Sequence, residues 1–481
     1  MNKPFWQLSA CELVRMIREG EISATEAVAT TVERMRAVNG KINAVVDDLS
    51  DEALETAEAH DREFTKSGII GPLHGVPVTI KENVDQEGRA TPNGVKAFRN
   101  IIAPGDAPVV SNLKKAGAIV IGRTNTPEFS FRATTDNELH GPTYNPWNDW
   151  ASAGGSSGGA AAAVMSGIGP IGHGNDIGGS LRYPAAATGA TAIKPGLGRT
   201  PAYNPSAQAE RGLLAQLMSV QGVIAREVKD VRLAIQSLIN YDPHDPWMVP
   251  MPFEGPPLQA PVKVAFTKNT FEFDLHLDVE KALDTARNAL TEAGYAVTEI
   301  EPPMLRETAR EANRCLMGET IELLGEDIRK HGSETIQRIF DDYANYFKPY
   351  KGDELMLGMA RRAHYARAWA IFLNEYPLVL TPFLPHPTYA LGRDAEGPEG
   401  VIEVLGAGIY SFSMNYMGLP AGIVSANEND GLPVGVQIVG RRFREDLIID
   451  ALEAIEQRIG IMADVLFARE SVTRTGSLGM P

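Results

Sequence analysis

Hydrophobic and polar positions follow two periods along this chain. A helical period opens it: "SACE" (Ser9 to Glu12) and "SATE" (Ser23 to Glu26) each set a serine three residues before a glutamate, just ahead of an apolar-periodic run. That is the capping-box arrangement, and it predicts two N-terminal helices. Short apolar runs follow. "GVPVTIKEN" predicts a buried strand over Val76–Ile80 that ends on Lys81, and "AGAIVIGRT" a second over Ala118–Ile121, with the helix-like "APVVSNLKKAG" before it. Strand, helix, strand is the pattern of a parallel sheet, so the class is α/β. The same triplet recurs in "VKVAFT", "VEKALDTARNALTEAG" and "YAVTEI". Proline-dense residues Tyr241 to Pro261 read as a surface crossing or internal linker, and Arg306 to Phe372 as helical. "LVLTPF", "AGIVSA" and "VGVQIVG" predict late strands, the last two joined tightly through Asn429-Asp430-Gly431. The tail, about 470–481, is expected to fray. No internal repeat of fixed period is present.

Composition narrows the function classes. The 481 residues are 43% hydrophobic and 22% charged, ordinary for a globular protein, and enough to bury a sizeable core. A formal charge of −16 argues against nucleic acid or anionic membranes as partners, and points to a small neutral molecule. Two cysteines, Cys11 and Cys315, make no disulfide framework and read as small hydrophobes. The first twenty residues lack a signal-peptide core, and no later run approaches a membrane span; the cytoplasm is the expected location.

The chemistry concentrates in "WASAGGSSGGAAAAVMSGIGPIGHGNDIGGSLRYPAAATGA", Trp150 to Ala190, which holds two glycine-flanked serine clusters. Serine is a poor nucleophile until a neighbour takes its proton. "GIGPIG" (Gly167 to Gly172) matches G-x-G-x-x-G literally, but a helix precedes it where the dinucleotide fingerprint needs a strand. "GGSSG" matches the nucleophile elbow around Ser156, although the turn-like "NPWNDWASA" before it is no strand. Alanines stand where a phosphate loop needs lysine and a hydroxyl. The nine histidines are scattered without metal-ligand spacing, so no metal or cofactor is expected, and His173 reads as a structural residue. Lys81 either holds its ammonium in water at the strand end or is carried inward, where burial favours the neutral amine. Periodicity does not decide between these.

The order and spacing of "GPLHGVPVTIKEN", "GRTNTPEFSF", "GPTYNPWN", "GGSSGGAAAAV", "GNDIGGSLRYPA" and "LPVGVQIVGRRFRED" resemble the amidase signature family. The resemblance runs to about Gln457 and is weakest between Asp242 and Leu405. It implies a single domain over 1–481, with a signature core at about 70–200 and a variable helical insert at about 242–405. The implied fold is a mixed, largely parallel twisted sheet with helices on both faces. It further implies an amide hydrolase with Ser180 as nucleophile, Ser156 after a cis peptide as proton bridge, and Lys81 as base. The backbone N–H groups of Ile177, Gly178, Gly179 and Ser180 would form the oxyanion hole, with Gly155 beside them. Of the neighbours, Ser157 is expected to cap or position the alanine-rich helix, Asp176 to brace the glycine loop or form a turn, and Arg182 to make a structural ion pair. The substrate would be a small apolar or aromatic amide, with pocket walls expected from "FSFRATTDN", "NPSAQAERGLLAQLMSV" and "VLGAGIYSFSMNYMG". The alternative is an A-type component of an amidotransferase, releasing ammonia from glutamine for tRNA-dependent amidation. Tyr183 speaks against it, since glutamine is expected there. Asn175 and Glu82 also depart from the commoner family residues. Oligomeric state is undetermined at this level, a homodimer included.

Overall fold

The computed structural model describes residues 3–429 and 431–476. Both predicted N-terminal helices form, Ala10–Arg18 and Ala24–Ile42, and each begins on its complete capping box. Eleven strands make one sheet: β1 (Val45–Asp48), β2 (Pro77–Lys81), β3 (Ile119–Thr124), β4 (Ile171–Asp176), β5 (Thr191–Lys194), β6 (Val220–Ala225), β7 (Lys263–Phe266), β8 (Ala296–Glu299), β9 (Leu378–Pro382), β10 (Ala421–Asn429) and β11 (Leu432–Gly440). Their order is β1-β3-β2-β4-β6-β5-β10-β11-β9-β7-β8. The first six strands in sequence thus occupy one half of the sheet and the last five the other, with β5 against β10 at the seam.

Parallel pairing is less extensive than the strand–helix–strand pattern implies. β2 runs parallel to β3 and β4, and β7 to β8 and β9. The other neighbours are antiparallel, β10 and β11 forming a hairpin as expected; its Asp430 lies outside the described residues. The crossovers are local and readable, whereas antiparallel contacts such as β5 with β10 join segments over two hundred residues apart. Residues 242–405 contribute β7, β8 and β9, so this stretch is part of the sheet as well as a helical layer. The tail expected to fray from 470 is helical to Gly476 (Met462–Gly476), and 477–481 lie outside the described residues.

Alternation along the strands feeds two large cores, and Val45, Ile119 and Ile121 join a third with the N-terminal helices. Ala192, Ile224, Ala265, Val379 and Ile423 face one, under the helices Leu305–His331, Glu334–Phe347, Gly352–Glu375 and Ile409–Met417. Ile193, Val223, Val264, Leu378 and Val424 face the other, under Val228–Leu238, Leu277–Glu292 and Glu445–Ile459. Near the termini, Trp6 stands edge-on to Phe467 at 5.1 Å, and Arg34 lies 4.1 Å over the Trp6 ring while bonding both Glu470 oxygens. Among the described residues no helix is long and apolar enough to cross a membrane.

Candidate active site

β2 and β4 are parallel neighbours, so their C-terminal ends bring Lys81 and the segment after Gly174 together. Lys81 is carried inward and is wholly buried. Its Nζ lies 2.7 Å from Ser156 Oγ and 2.9 Å from Asn175 Oδ1. Burial pulls its pKa down to about 7, against Asp176 and Glu82, which favour the ammonium. The Asn175 amide is itself oriented, because its Nδ2 donates to Asn83 Oδ1 at 2.8 Å, which leaves Oδ1 for the lysine. Ser156 follows a cis Gly155–Ser156 peptide. A side chain at Gly155 would come within 2.7 Å of the Arg132 and Ala133 backbone, so only glycine fits.

Ser180 ends a glycine loop braced from behind by Asp176. This carboxylate accepts the N–H of Gly179 at 2.7 Å and of Leu181 at 3.1 Å. Arg182 pairs with both of its oxygens at 3.0 Å, and neither side chain is exposed. Burial raises the Asp176 pKa, but Arg182 outweighs it and holds the group down at about 2. Asn415 donates to Asp176, and Gln437 accepts from Arg182 at 2.9 Å, so the C-terminal half of the chain completes the brace. The ion pair expected for Arg182 and the bracing role of Asp176 are both present.

Two expectations need correction. The Gly179 N–H is committed to Asp176, because a carboxylate three residues earlier closes the turn; it is therefore not free for an oxyanion. Among the described residues nothing takes the N–H groups of Ile177, Gly178 and Ser180. Of the two roles expected for Ser157, capping is not the one it has: it occupies the N-cap position of the helix Gly158–Met165, but its hydroxyl does not cap it. Thr135 Oγ1 accepts the Gly158 N–H instead, at 3.0 Å, while the Ser157 hydroxyl reaches Asn175 O at 3.4 Å. Ser180 Oγ makes no hydrogen bond among the described residues, so Lys81 and Ser156 are joined directly and Ser180 is not yet joined to them.

Ser180 opens on a pocket lined mainly by apolar side chains. Its walls are Phe131, Ala133, Ile177, Tyr183, Leu316, Met317, Tyr343, Leu405 and Phe412, with Ser130, Arg132, Gly155, Gly178 and Thr320 among them. Two of the three segments expected there, 129–137 and 404–418, do line it. The third, 204–220, does not. It meets the helix Leu305–His331 on another face, where Glu319 accepts the N–H groups of Leu214 and Ala215 at 2.8 Å. Leu316, Met317, Thr320 and Tyr343 take its place; the apolar run of that helix was the available signal, but it does not say which face meets the serine. Tyr183 donates to Val404 O at 2.9 Å and sets its ring edge-on to Phe383. Arg132, the one charged residue of the lining, is already held by Asp394 at 2.9 Å and Asp136 at 3.3 Å.

The remaining motifs find structural places. His173 is buried, bonded to Gln221 at 3.0 Å, and its pKa falls to about 3, chiefly through burial. Gly167–Gly172 leads from a helix into β4, the reverse of the strand-then-helix order of a dinucleotide site. Ser156 is approached through residues that form only isolated bridges, so no strand leads to an elbow. Among the described residues no group of three or more His, Cys, Asp or Glu is placed to hold a metal.

Comparison with known proteins gives consistent findings. The family model described as Amidase matches residues 26–449. An indoleacetamide hydrolase of Bradyrhizobium diazoefficiens is 48% identical over 465 residues, 96% of this chain and 89% of that protein. The A-type component of the glutamyl-tRNA(Gln) amidotransferase of Moorella thermoacetica is 30% identical, over 94% of this chain and 96% of its own. Among solved structures, a bacterial aryl acylamidase of the amidase signature family superposes with a TM-score of 0.80 at 26% identity, covering 95% of this chain and 97% of that one.

Proposed function

The chain belongs to the Amidase family and is an amide hydrolase, and from that premise we propose that it cleaves small arylacetamides, indoleacetamide among them, through an acyl-enzyme on Ser180. The observation that carries this reading is the pocket. A glycine loop bearing a half-buried serine, whose hydroxyl makes no hydrogen bond among the described residues, opens on aromatic and aliphatic walls, and the only cation of the lining is already paired. A neutral aromatic acyl group fits there; the charged backbone of glutamine finds no free partner.

In the proposed reaction Ser180 Oγ attacks the amide carbonyl while Ser156 takes its proton and neutral Lys81 takes that of Ser156. Substrate binding draws Ser180 into line with Ser156. The developing oxyanion is met by the N–H groups of Ile177, Gly178 and Ser180, each such donor being worth about 3 kcal/mol in the transition state. Asp176 acts one step back, by fixing the loop that carries them. When the tetrahedral species collapses, the relay returns the proton to the leaving nitrogen and ammonia departs. Water then attacks the ester carbonyl by the same route.

Ammonia release from indoleacetamide, phenylacetamide, aliphatic amides and glutamine tests the assignment. Arylacetamides are expected to lead in kcat/KM; a lead for glutamine would overturn it. Intact-mass analysis after a fluorophosphonate is expected to show one adduct that Ser180→Ala abolishes.

A further inference from the structure

The pocket contains one polar group whose capacity to accept a hydrogen bond is unused among the described residues. Resting on the arylacetamide reading, we propose that Thr320 is a specificity-determining residue whose hydroxyl accepts a hydrogen bond from a ring N–H of the aryl group. The preferred substrates are then heteroaryl acetamides that carry such an N–H, over rings of equal size that lack it.

Thr320 stands on the helix Leu305–His331 and lines the pocket beside Leu316. Its Oγ1 donates to Leu316 O, one turn earlier, at 2.7 Å. A hydroxyl has one proton and two lone pairs. With the proton committed to the helix, only lone pairs remain for the pocket, so the group presents itself as an acceptor. Among the described residues no donor reaches this oxygen.

The other polar side chains of the lining are occupied or of the wrong kind. Ser130 Oγ accepts from Asn83 at 2.9 Å and donates to Asn93 at 2.6 Å. Tyr183 and Tyr343 are buried, and their hydroxyls bond to Val404 O and Asn313, neither of which lines the pocket. Arg132 has donors only, and Ser180 is reserved for the carbonyl. An N–H brought into this apolar space needs an acceptor, because an unpaired buried donor is costly. Thr320 is the side chain that supplies one.

The test compares kcat/KM for indole-3-acetamide and benzofuran-3-acetamide, in which oxygen replaces the ring N–H at nearly constant shape. The unaltered enzyme is expected to prefer the indole by roughly tenfold, the worth of one hydrogen bond at a partly wet site. Thr320→Val should bring the ratio near one by losing rate on the indole alone, and Thr320→Ser should keep the preference. Parity in the unaltered enzyme, or a preference that survives Thr320→Val, overturns the proposal. An equal loss on both substrates assigns the residue to packing and overturns it as well. Brisk turnover of both amides at parity leaves the arylacetamide reading standing while removing the role of Thr320. If neither amide turns over while another amide class does, the reading itself fails and the proposal falls with it.

Discussion

Lys81 answers to two opposed demands. As a base it must be neutral near pH 7, and its burial achieves that; the same burial opposes folding whenever the amine is charged. With a folded pKa of about 7 against 10.5 in the open chain, the unfolded state binds more protons between those values. Stability therefore rises with pH across that window, and the penalty, on the order of a few kcal/mol, is fully present below pH 7. Two outcomes follow. The kcat/KM profile should climb through an apparent pKa near 7 and then level off; a flat profile from about pH 5 to about pH 10 would exclude the lysine as base. Lys81→Met should be inactive yet melt higher than the unaltered protein at pH 6, with the gain shrinking toward pH 10. Thermal melts at the two pH values check this, and a lower Tm at pH 6 would contradict it. Ser156→Ala and Lys81→Ala should each lose on the order of 10³-fold in kcat, and the double variant little more, because the two side chains act as one path.

At the scale of elements, what could be read from the sequence was what is local. The boxes at Ser9 and Ser23 start helices because cap and capped residues lie three apart, and the β2–β3 pairing is implied by a crossover of some forty residues. Lys81, Ser156 and Ser180 were singled out only through the resemblance of their motifs, since periodicity left Lys81 open between solvent and interior. The cap of the helix Gly158–Met165 was not legible. Its acceptor, Thr135, sits twenty-three residues upstream and arrives through the fold. The pocket wall on Leu305–His331 was hidden for the same reason: periodicity shows that a helix has an apolar face, but not what that face meets. These placements make separable predictions. Thr135→Ala should cost about 1 kcal/mol in denaturant unfolding, and Ser157→Ala less. Asp176→Asn leaves Arg182 buried beside a neutral amide and should cost about 3–5 kcal/mol. It should also lower kcat more than it raises KM, because it loosens the glycine loop and not the walls. A variant with raised KM and intact kcat would place Asp176 in substrate binding instead.

Across the whole molecule, the sheet divides the chain in sequence order, with the reacting groups in one half and the pocket walls shared between the two. Lys81, Ser156, Asp176 and Ser180 belong to the half built from β1–β6. Leu316, Met317, Thr320, Tyr343, Leu405 and Phe412, from the half built from β7–β11, form one wall of the pocket, facing Phe131, Ala133, Ile177 and Tyr183 of the first half. The halves are joined through the exposed, proline-rich crossing from Tyr241 to Pro261. A gene organised in this way can be recombined by one crossover in that crossing, exchanging one wall of the pocket while leaving the reacting groups in place. Many contacts cross the seam, the buried Arg199–Glu445 pair and the β5–β10 ladder among them; nearest the site, the incoming half must bring counterparts of Asn415 and Gln437 for the brace behind Ser180, and of Asp394 for Arg132. A hybrid that keeps residues 1–241 and takes the remainder from another family member with those three residues should retain the Lys81-governed pH profile and adopt the donor's amide preference. Rate profiles on both parents' substrates would decide it, and a hybrid that kept the recipient's preference would show that selection is written into the first half after all.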